Sequence, residues 1–248
     1  MTRRSLFSRV LGLAAILIAA TAGASPTLAE LHVIESSAAG IRVGSLADNE
    51  IVTIPAGTQI RVVLPSGKTQ TVKGPYKGTA GDLAKGQARN EGVLAWLKEF
   101  LKTGGASEAT PGATRSIGRE TPRPRVGFSW SAVAVTDGIV CVEKGAKLQL
   151  VRAAPLRAER VTVVDAASSG RGEVQYEAGS DTAGWPANLA PRPDGIYDIL
   201  APGQPRRQVT LRVLDKLPAE EDVLNELHRL GCKQQFQAWV QRPVASKK

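Results

Sequence analysis

The sequence contains few aromatic residues, cysteines, histidines or methionines. Of its 248 residues, 4% are aromatic, two are cysteine, two are histidine, and the single methionine is the initiator. With so few large aromatic side chains, alanine, valine, leucine and glycine must fill the core. That composition favours a thin β-sandwich or a small barrel over a domain that encloses a ligand in an aromatic pocket.

The residue spacings of metal, nucleotide and hydrolase sites are also missing. Cys141, Cys232, His32 and His228 show none of the spacings typical of zinc ligands, so we expect no metal site and no cofactor. The sequence contains no G-x-S-x-G, H-E-x-x-H, S-x-x-K or G-x-x-x-x-G-K motif, and we assign no catalytic residue. Few aromatic residues lie among the basic ones, which disfavours nucleic acid as a partner.

Long apolar runs are confined to the start of the chain. Three arginines, Arg3, Arg4 and Arg9, precede an apolar run over 10–20, and an A-x-A pattern follows at 22–24. The run is shorter than the ~20 residues that a membrane-spanning helix needs. The pattern therefore predicts a cleaved signal peptide over 1–24, with residue 29 as an alternative end, and no transmembrane anchor after cleavage.

The export route stays open between two pathways. Residues 2–7, TRRSLF, resemble the twin-arginine pattern, whereas the general secretory route requires only the basic start and the apolar run. In either case we expect a periplasmic or secreted protein. The whole chain has a net charge of +9, and a signal ending at residue 24 removes three arginines and no acid, leaving about +6.

The first part of the predicted exported chain, 30–102, reads as short strands followed by one helix. Alternating apolar residues predict strands near 31–35, 41–43, 51–54, 60–64 and 69–72, with a hairpin turn at 65–68. The spacing of six apolar residues then predicts an amphipathic helix that begins after Asn90 and packs on the adjacent sheet. These residues are Val93, Leu94, Trp96, Leu97, Phe100 and Leu101.

Residues 103–125 differ in composition and predict a flexible linker. The stretch is rich in glycine, proline and small residues, has almost no large apolar side chain, and carries four arginines. Burial of apolar surface cannot offset the entropy of ordering such a segment. We therefore expect it to separate the domain at 30–102 from a second domain at 126–248.

The second domain is predicted to be a β-sandwich closed by a helical tail. Strands near 132–135 and 139–142 flank Thr136-Asp137-Gly138, which predicts a hairpin. Further strands near 148–151, 161–164, 174–176, 196–200 and 209–213 continue the series. Two helices follow, with the apolar positions Val223, Leu224, Leu227 and Leu230 and then Phe236, Trp239 and Val240. The fold class is thus mainly β.

Two candidate features remain in this domain. Cys141 and Cys232 form an even cysteine count in a chain predicted to enter an oxidising compartment, which favours a structural disulfide. Trp185, in a loop rich in glycine and proline, is a candidate ligand contact because an exposed tryptophan can stack on a sugar ring or a peptide. The alternative is that Trp185 closes the end of the sandwich.

Three segments of the first domain resemble the strand-turn repeats of FecR-type periplasmic domains. They are Ile54-Pro55-Ala56-Gly57-Thr58-Gln59-Ile60, Leu64-Pro65-Ser66-Gly67 and Gly74-Pro75-Tyr76. The region, about 31–80, is also similar to uncharacterised secreted proteins of proteobacteria. The resemblance implies a non-enzymatic β-domain that senses or scaffolds, and it assigns no functional residue. The predicted signal peptide and the expected lack of an internal membrane helix would distinguish the chain from regulatory FecR proteins.

The leading functional hypothesis is a non-catalytic exported envelope protein that binds a protein partner or an anionic cell-wall polymer. One alternative is a secreted hydrolase with an unrecognised carboxylate or histidine site. Asp165, Glu173 and Glu177 would provide one only if the fold sets two of them at the separation that glycosidases use. A second alternative is an accessory subunit of an envelope complex.

Overall fold

The computed structural model describes residues 30–103, 127–153 and 157–242. The predicted signal peptide and the predicted linker, apart from Thr103, lie outside the described residues. The fold is mainly β, with 37% strand and 19% helix, and a short helical region at the carboxyl end. This confirms the predicted fold class.

The strands and helices follow one another in two blocks. The first block contains β1 Leu31–Ser36, β2 Gly44–Leu46, β3 Ile51–Ile54, β4 Gln59–Val63, β5 Thr69–Lys73, β6 Tyr76–Thr79, α1 Ala80–Ala84 and α2 Glu91–Lys102. The second contains β7 Ala132–Ala134, β8 Gly138–Glu143, β9 Gln149–Val151, β10 Glu159–Asp165, β11 Arg171–Tyr176, β12 Thr182–Gly184, β13 Gly195–Leu200 and β14 Arg207–Leu214. It ends with a 3₁₀ turn at Glu220–Asp222, α3 Val223–Leu230 and α4 Lys233–Val240.

The first block forms a four-stranded antiparallel sheet in the order β2-β1-β4-β5 and a two-stranded ladder of β3 and β6. The predicted turn between β4 and β5 is confirmed. Leu64 N–H donates to Lys68 C=O at 2.8 Å, and Gly67 takes a φ of 80°, which glycine adopts without steric cost. Strand β6 and helix α1 were not predicted, because Tyr76–Thr79 and Ala80–Ala84 carry little apolar periodicity.

Helix α2 begins and packs as its sequence predicts. The Asn90 side chain accepts a hydrogen bond from Val93 N–H at 3.3 Å and caps the helix. The positions Val93, Leu94 and Leu97 are at most 1% exposed. The prediction that this face packs within the fold is confirmed, but its contacts extend beyond the adjacent sheet to the tail helices.

The second block is a sandwich of a five-stranded sheet, β11-β10-β13-β14-β8, and a three-stranded sheet, β12-β9-β7. Between the sheets lies a core cluster made of Val133, Val140, Val142, Leu148, Leu150, Val161, Val163, Val174, Tyr176, Leu189, Tyr197, Ile199, Val209 and Leu211. Most strand pairs are antiparallel, but β8 pairs with β14 and β7 pairs with β9 in parallel.

The predicted hairpin at Thr136-Asp137-Gly138 is wrong. Strands β7 and β8 belong to different sheets, so this turn carries the chain from one layer of the sandwich to the other. The Asp137 carboxylate accepts hydrogen bonds from Gln208 N–H at 2.8 Å and from the Arg207 side chain at 2.9 Å. These bonds fix the start of β8 beside β14 instead of beside β7.

The tail helices α3 and α4 join both blocks in one hydrophobic cluster. The cluster contains Ile34, Val63, Val93, Leu97 and Phe100 from the first block, and Cys141, Leu214, Val223, Leu224, Leu227, Cys232, Phe236, Trp239 and Val240 from the second. The predicted buried positions of the tail are thus core residues, except Leu230, which is partly buried. The two predicted domains share this core.

Polar contacts reinforce the tail's attachment to the first block. The buried Arg61 of β4 donates hydrogen bonds to Trp239 C=O at 3.3 Å, to Val240 C=O at 3.2 Å and to Arg242 C=O. These carbonyls lie at the carboxyl end of α4, where helix carbonyls lack the usual donors and a cation is favoured. Trp239 C=O also accepts a hydrogen bond from Arg242 N–H at 3.2 Å. Lys233 of α4 also pairs with Glu99 of α2 at 2.9 Å.

The tail is attached to β8 as well. Cys141 and Cys232 are joined as a disulfide, with their Cα atoms 5.9 Å apart, as the sequence predicts. The side-chain amide of the buried Gln235 accepts a hydrogen bond from Cys141 N–H at 2.6 Å and donates one to Cys141 C=O at 2.7 Å. This side chain therefore takes the place of a neighbouring strand at the edge of the sheet.

Candidate functional site

The outer surface of β13 and β14 carries the most exposed apolar residues of the second block. Alternation along β13 turns Gly195, Tyr197 and Ile199 inward and Ile196 and Leu200 outward. Ile196 and Leu200 are each 41% exposed. Together with Asp198 of β13 and Gln208 and Thr210 of β14 they form a surface that we call the open face.

The open face continues a surface that is covered one strand further along. Thr210 lies opposite Ile196 on one side and opposite Ile139 of β8 on the other. Ile139 packs against the tail cluster, and Cys141, two residues later, carries the disulfide. The helical tail thus covers this side of the sheet at β8 and leaves it uncovered at β13.

A charged residue separates the two aliphatic side chains of the open face, because Asp198 lies between Ile196 and Leu200 on the same side of β13. Asp198 pairs with Arg206 at 3.0 Å and accepts a hydrogen bond from the Gln208 amide at 3.1 Å. Across β10 and β11, Arg160 pairs with Glu173 at 3.5 Å. The open face is therefore a mixed surface of aliphatic and charged side chains, and many protein-binding surfaces are no more apolar than the rest of a protein's surface.

A groove of about 410 Å³ adjoins the open face, where the carboxyl end of α3 meets the sheet. Its walls are formed by Pro193, Asp194, Arg212, Val213, Arg229 and Leu230. Arg212 follows Thr210 by two residues along β14, so its side chain lies on the same side of the sheet as the open face. Asp194 belongs to the turn before β13, with a φ of 56°. The Arg212 guanidinium pairs with the Asp194 carboxylate across the two strands.

Trp185, the candidate ligand contact, is engaged within the fold. Its indole N–H donates a hydrogen bond to Leu189 C=O at 2.6 Å, and its ring meets the Tyr197 ring edge-on at 5.0 Å between centroids. The side chain is partly buried against the sandwich core. The structure therefore places Trp185 at the position expected of a residue that closes the sandwich.

The three acids considered for a glycosidase pair serve separate local roles. The buried Asp165 binds Arg192 through both carboxylate oxygens, at 2.6 and 2.8 Å. A hydrogen bond from Ala167 N–H, supported by Ser168 and Arg192, lowers the pKa of Asp165. Glu173 points outward and pairs with Arg160, whereas the Glu177 carbonyl accepts a hydrogen bond from Arg152. Asp165 and Glu173 face opposite sides of the sheet.

His32 lies in a polar cluster that sequence reasoning missed. The cross-strand pair of β1 and β2 brings Ser45 Oγ to 2.9 Å from His32 Nδ1, and Glu30 Oε1 lies 3.8 Å from Nε2. His32 is fully buried, and its Nε2 has no hydrogen-bond partner among the described residues. Glu30 also pairs with Lys98 of α2. The strand register that joins residues 32 and 45 could not be read from the sequence.

We predict that acidification below about pH 6.5 destabilises the protein through His32. Burial lowers the pKa of His32, and Lys98 and Arg89 lower it further, against the opposing effect of Glu30. Below this pH His32 binds a proton in the unfolded chain but not in the folded chain. The free energy of unfolding therefore falls with falling pH, by at most ~1.4 kcal/mol per pH unit. Hydrogen bonds to Glu30 outweigh its burial and lower its pKa, so Glu30 responds only in more acidic solution.

Urea denaturation between pH 7 and pH 5 measures this effect. The variant His32→Gln should lose the pH dependence over this interval, and His228→Gln, in the tail, should retain it. Identical slopes in the His32 variant and the unmodified protein would show that His32 does not cause the loss.

Within the described ranges 30–103, 127–153 and 157–242, no group of three or more histidines, cysteines, aspartates or glutamates is arranged to hold a metal ion. In the same part of the chain, no helix is long and apolar enough to cross a membrane. No protein-family model, curated protein or solved structure matches this chain.

Proposed function

We propose that the protein is a non-catalytic binding or scaffolding module of the cell envelope, periplasmic or secreted, and that its open face binds a protein partner. The observation that carries the proposal is the position of Ile196 and Leu200, both 41% exposed on a strand in the interior of the five-stranded sheet. The tail helices pack on the neighbouring part of the same surface. A partner would extend that packing across β13.

The composition of the surface supports a protein as the occupant. The two aliphatic side chains contribute through their burial, and the ion pairs between and beside them favour one orientation of the partner. A specific interface buries at least about 1,000 Å² in total, which requires contact with β10 and β11 as well as β13. The predicted signal peptide and the resemblance to FecR-type domains support an envelope location, and the disulfide agrees with an oxidising compartment.

The hydrolase alternative has less support. The cluster of Ser45, His32 and Glu30 brings a hydroxyl, an imidazole and a carboxylate together. Glu30 lies 3.8 Å from His32 Nε2, however, which exceeds the 2.6–3.2 Å needed for a hydrogen bond that would orient a general base. The imidazole is also fully buried. These contacts fit a structural cluster better than a nucleophilic site.

Site-specific photo-crosslinking in cells tests the proposal. A photoreactive residue at Ile196 should give a discrete crosslinked product, and the same residue at Ile51, which is 68% exposed on β3, serves as the matched control. The second substitution Leu200→Glu should weaken the Ile196 crosslink at least about tenfold, because it replaces one of the two aliphatic side chains that the partner would bury with a charged one.

The outcomes separate the alternatives. A protein product specific to Ile196 and sensitive to Leu200→Glu supports the proposal. A product formed equally from Ile51, or one unaffected by Leu200→Glu, contradicts it. A product that glycan-degrading enzymes remove identifies an envelope polymer as the occupant and overturns the choice of a protein.

A further inference from the structure

We propose that the groove beside the open face binds the terminal carboxylate of a peptide whose last residue is aliphatic. The inference rests on the proposed function and deepens it, because it names the part of the partner that enters the groove. Arg212 of β14 and Arg229 of α3 line the groove together with the apolar Val213, Leu230 and Pro193. A guanidinium matches the planar geometry of a carboxylate, and the apolar residues suit an aliphatic side chain next to it.

Both arginines have capacity to bind an incoming carboxylate. Arg212 uses Nη1 to pair with Asp194, and its Nε is buried out of a ligand's reach, so an incoming carboxylate would meet the exposed part of the guanidinium, on a side chain that is 34% exposed. Arg229 pairs with Glu226 in its own helix, with Nε 2.8 Å from the carboxylate, and its side chain is largely exposed. Exposed ion pairs of this kind stabilise a protein little, so a ligand can replace Glu226 at small cost.

The groove's size and position suit the end of a chain. A volume of about 410 Å³ lies near the lower end of the usual ~300–1,000 Å³ for ligand sites, and so fits one or two residues instead of a long polymer segment. Because Arg212 lies on the same side of the sheet as Ile196 and Thr210, the groove opens beside the open face. A partner that covers the open face can place its terminal residue there.

The test uses the oxidised protein labelled with ¹⁵N and two tripeptides, N-acetyl-Gly-Ala-Leu with a free carboxylate and the same peptide with a terminal amide. The free acid should shift the amide resonances of Asp194, Arg212 and Arg229. The amide should bind at least about tenfold more weakly, since it lacks the charge that strengthens the hydrogen bonds. Arg229→Gln should weaken binding of the acid by a similar factor.

The matched control is Arg42→Gln, which removes an exposed arginine of the first block that does not line the groove. It should leave the affinity for the acid unchanged. The inference would be overturned if the acid and the amide bound equally, or if the two variants lost affinity equally. It would also be overturned if the resonance shifts were confined to other surfaces, or if no shift appeared at about 10 mM peptide. The photo-crosslink at Ile196 is measured separately from peptide binding. If the peptide test fails but the crosslink persists in Arg229→Gln, the groove assignment is wrong and the proposal that the open face binds a protein is unaffected.

Discussion

Replacement of Cys141 by serine is expected to lower the free energy of unfolding by about 4 kcal/mol. The disulfide joins residues 91 positions apart, and the chain-entropy relation gives roughly 4–5 kcal/mol for a loop of that length. Both cysteines are fully buried, so serine also places a hydroxyl in the apolar cluster of the tail. Because the bond requires both partners, Cys232→Ser should cost as much, and the double variant should be no less stable than either single variant.

Chemical denaturation of the oxidised protein and its variants measures these differences. Dithiothreitol should destabilise the unmodified protein to a similar extent and leave the variants unaffected, which makes reduction the internal control. In a domain of this size the loss corresponds to a decrease in Tm of about 10 °C. Titration of two free thiols in the unfolded, non-reduced protein would rule out the bond.

Replacement of Arg61 by methionine is expected to lower the free energy of unfolding by about 3 kcal/mol. Methionine fills much of the same volume but leaves the carbonyls of Trp239, Val240 and Arg242 without their buried donor. It also leaves Glu35, which lies 3.6 Å from the guanidinium, with one charged neighbour fewer. Burial lowers the pKa of Arg61, and Glu35 opposes this effect.

The control is Lys77→Met, a change from cation to methionine at an exposed position of β6, which should alter stability by less than about 0.5 kcal/mol. Far-ultraviolet circular dichroism and tryptophan fluorescence should report the same midpoint for the unmodified protein, because both blocks share the tail cluster. If Arg61→Met were as stable as the control, the contacts of Arg61 with α4 would contribute nothing measurable.

Local sequence signals predicted those parts of the fold that depend on neighbouring residues. Asn90 capped α2, Gly67 formed the β4–β5 turn, and Gly231, with a φ of 79°, ended α3. Each outcome follows from backbone preferences within a few positions. The hairpin at Thr136-Asp137-Gly138 failed because Asp137 is bonded to residues some 70 positions later. No local preference encodes such a partner.

For the candidate site, too, local patterns were predictable from the sequence and contacts between distant residues were not. The sequence predicted a strand near 196–200 but did not identify the side with Ile196 and Leu200 as the exposed one. That distinction depends on where the tail packs, and the tail's apolar stripe is equally compatible with either surface of the sheet. The approach of Arg229 to Arg212 likewise arises only when α3 is docked.

The hydrogen bonds between Gln235 and Cys141 also bear on what happens before the fold is complete. Strand β8 is an edge strand of its five-stranded sheet. Edge strands have unpaired backbone groups that readily pair with strands of other molecules. Strand β8 can pair with β14 and be covered by α4 only after those elements have been synthesised, and both begin at least 64 positions after the end of β8. Until α4 docks, a second chain can add a strand to the edge of β8. Docking of the carboxyl-terminal tail therefore protects this edge from aggregation.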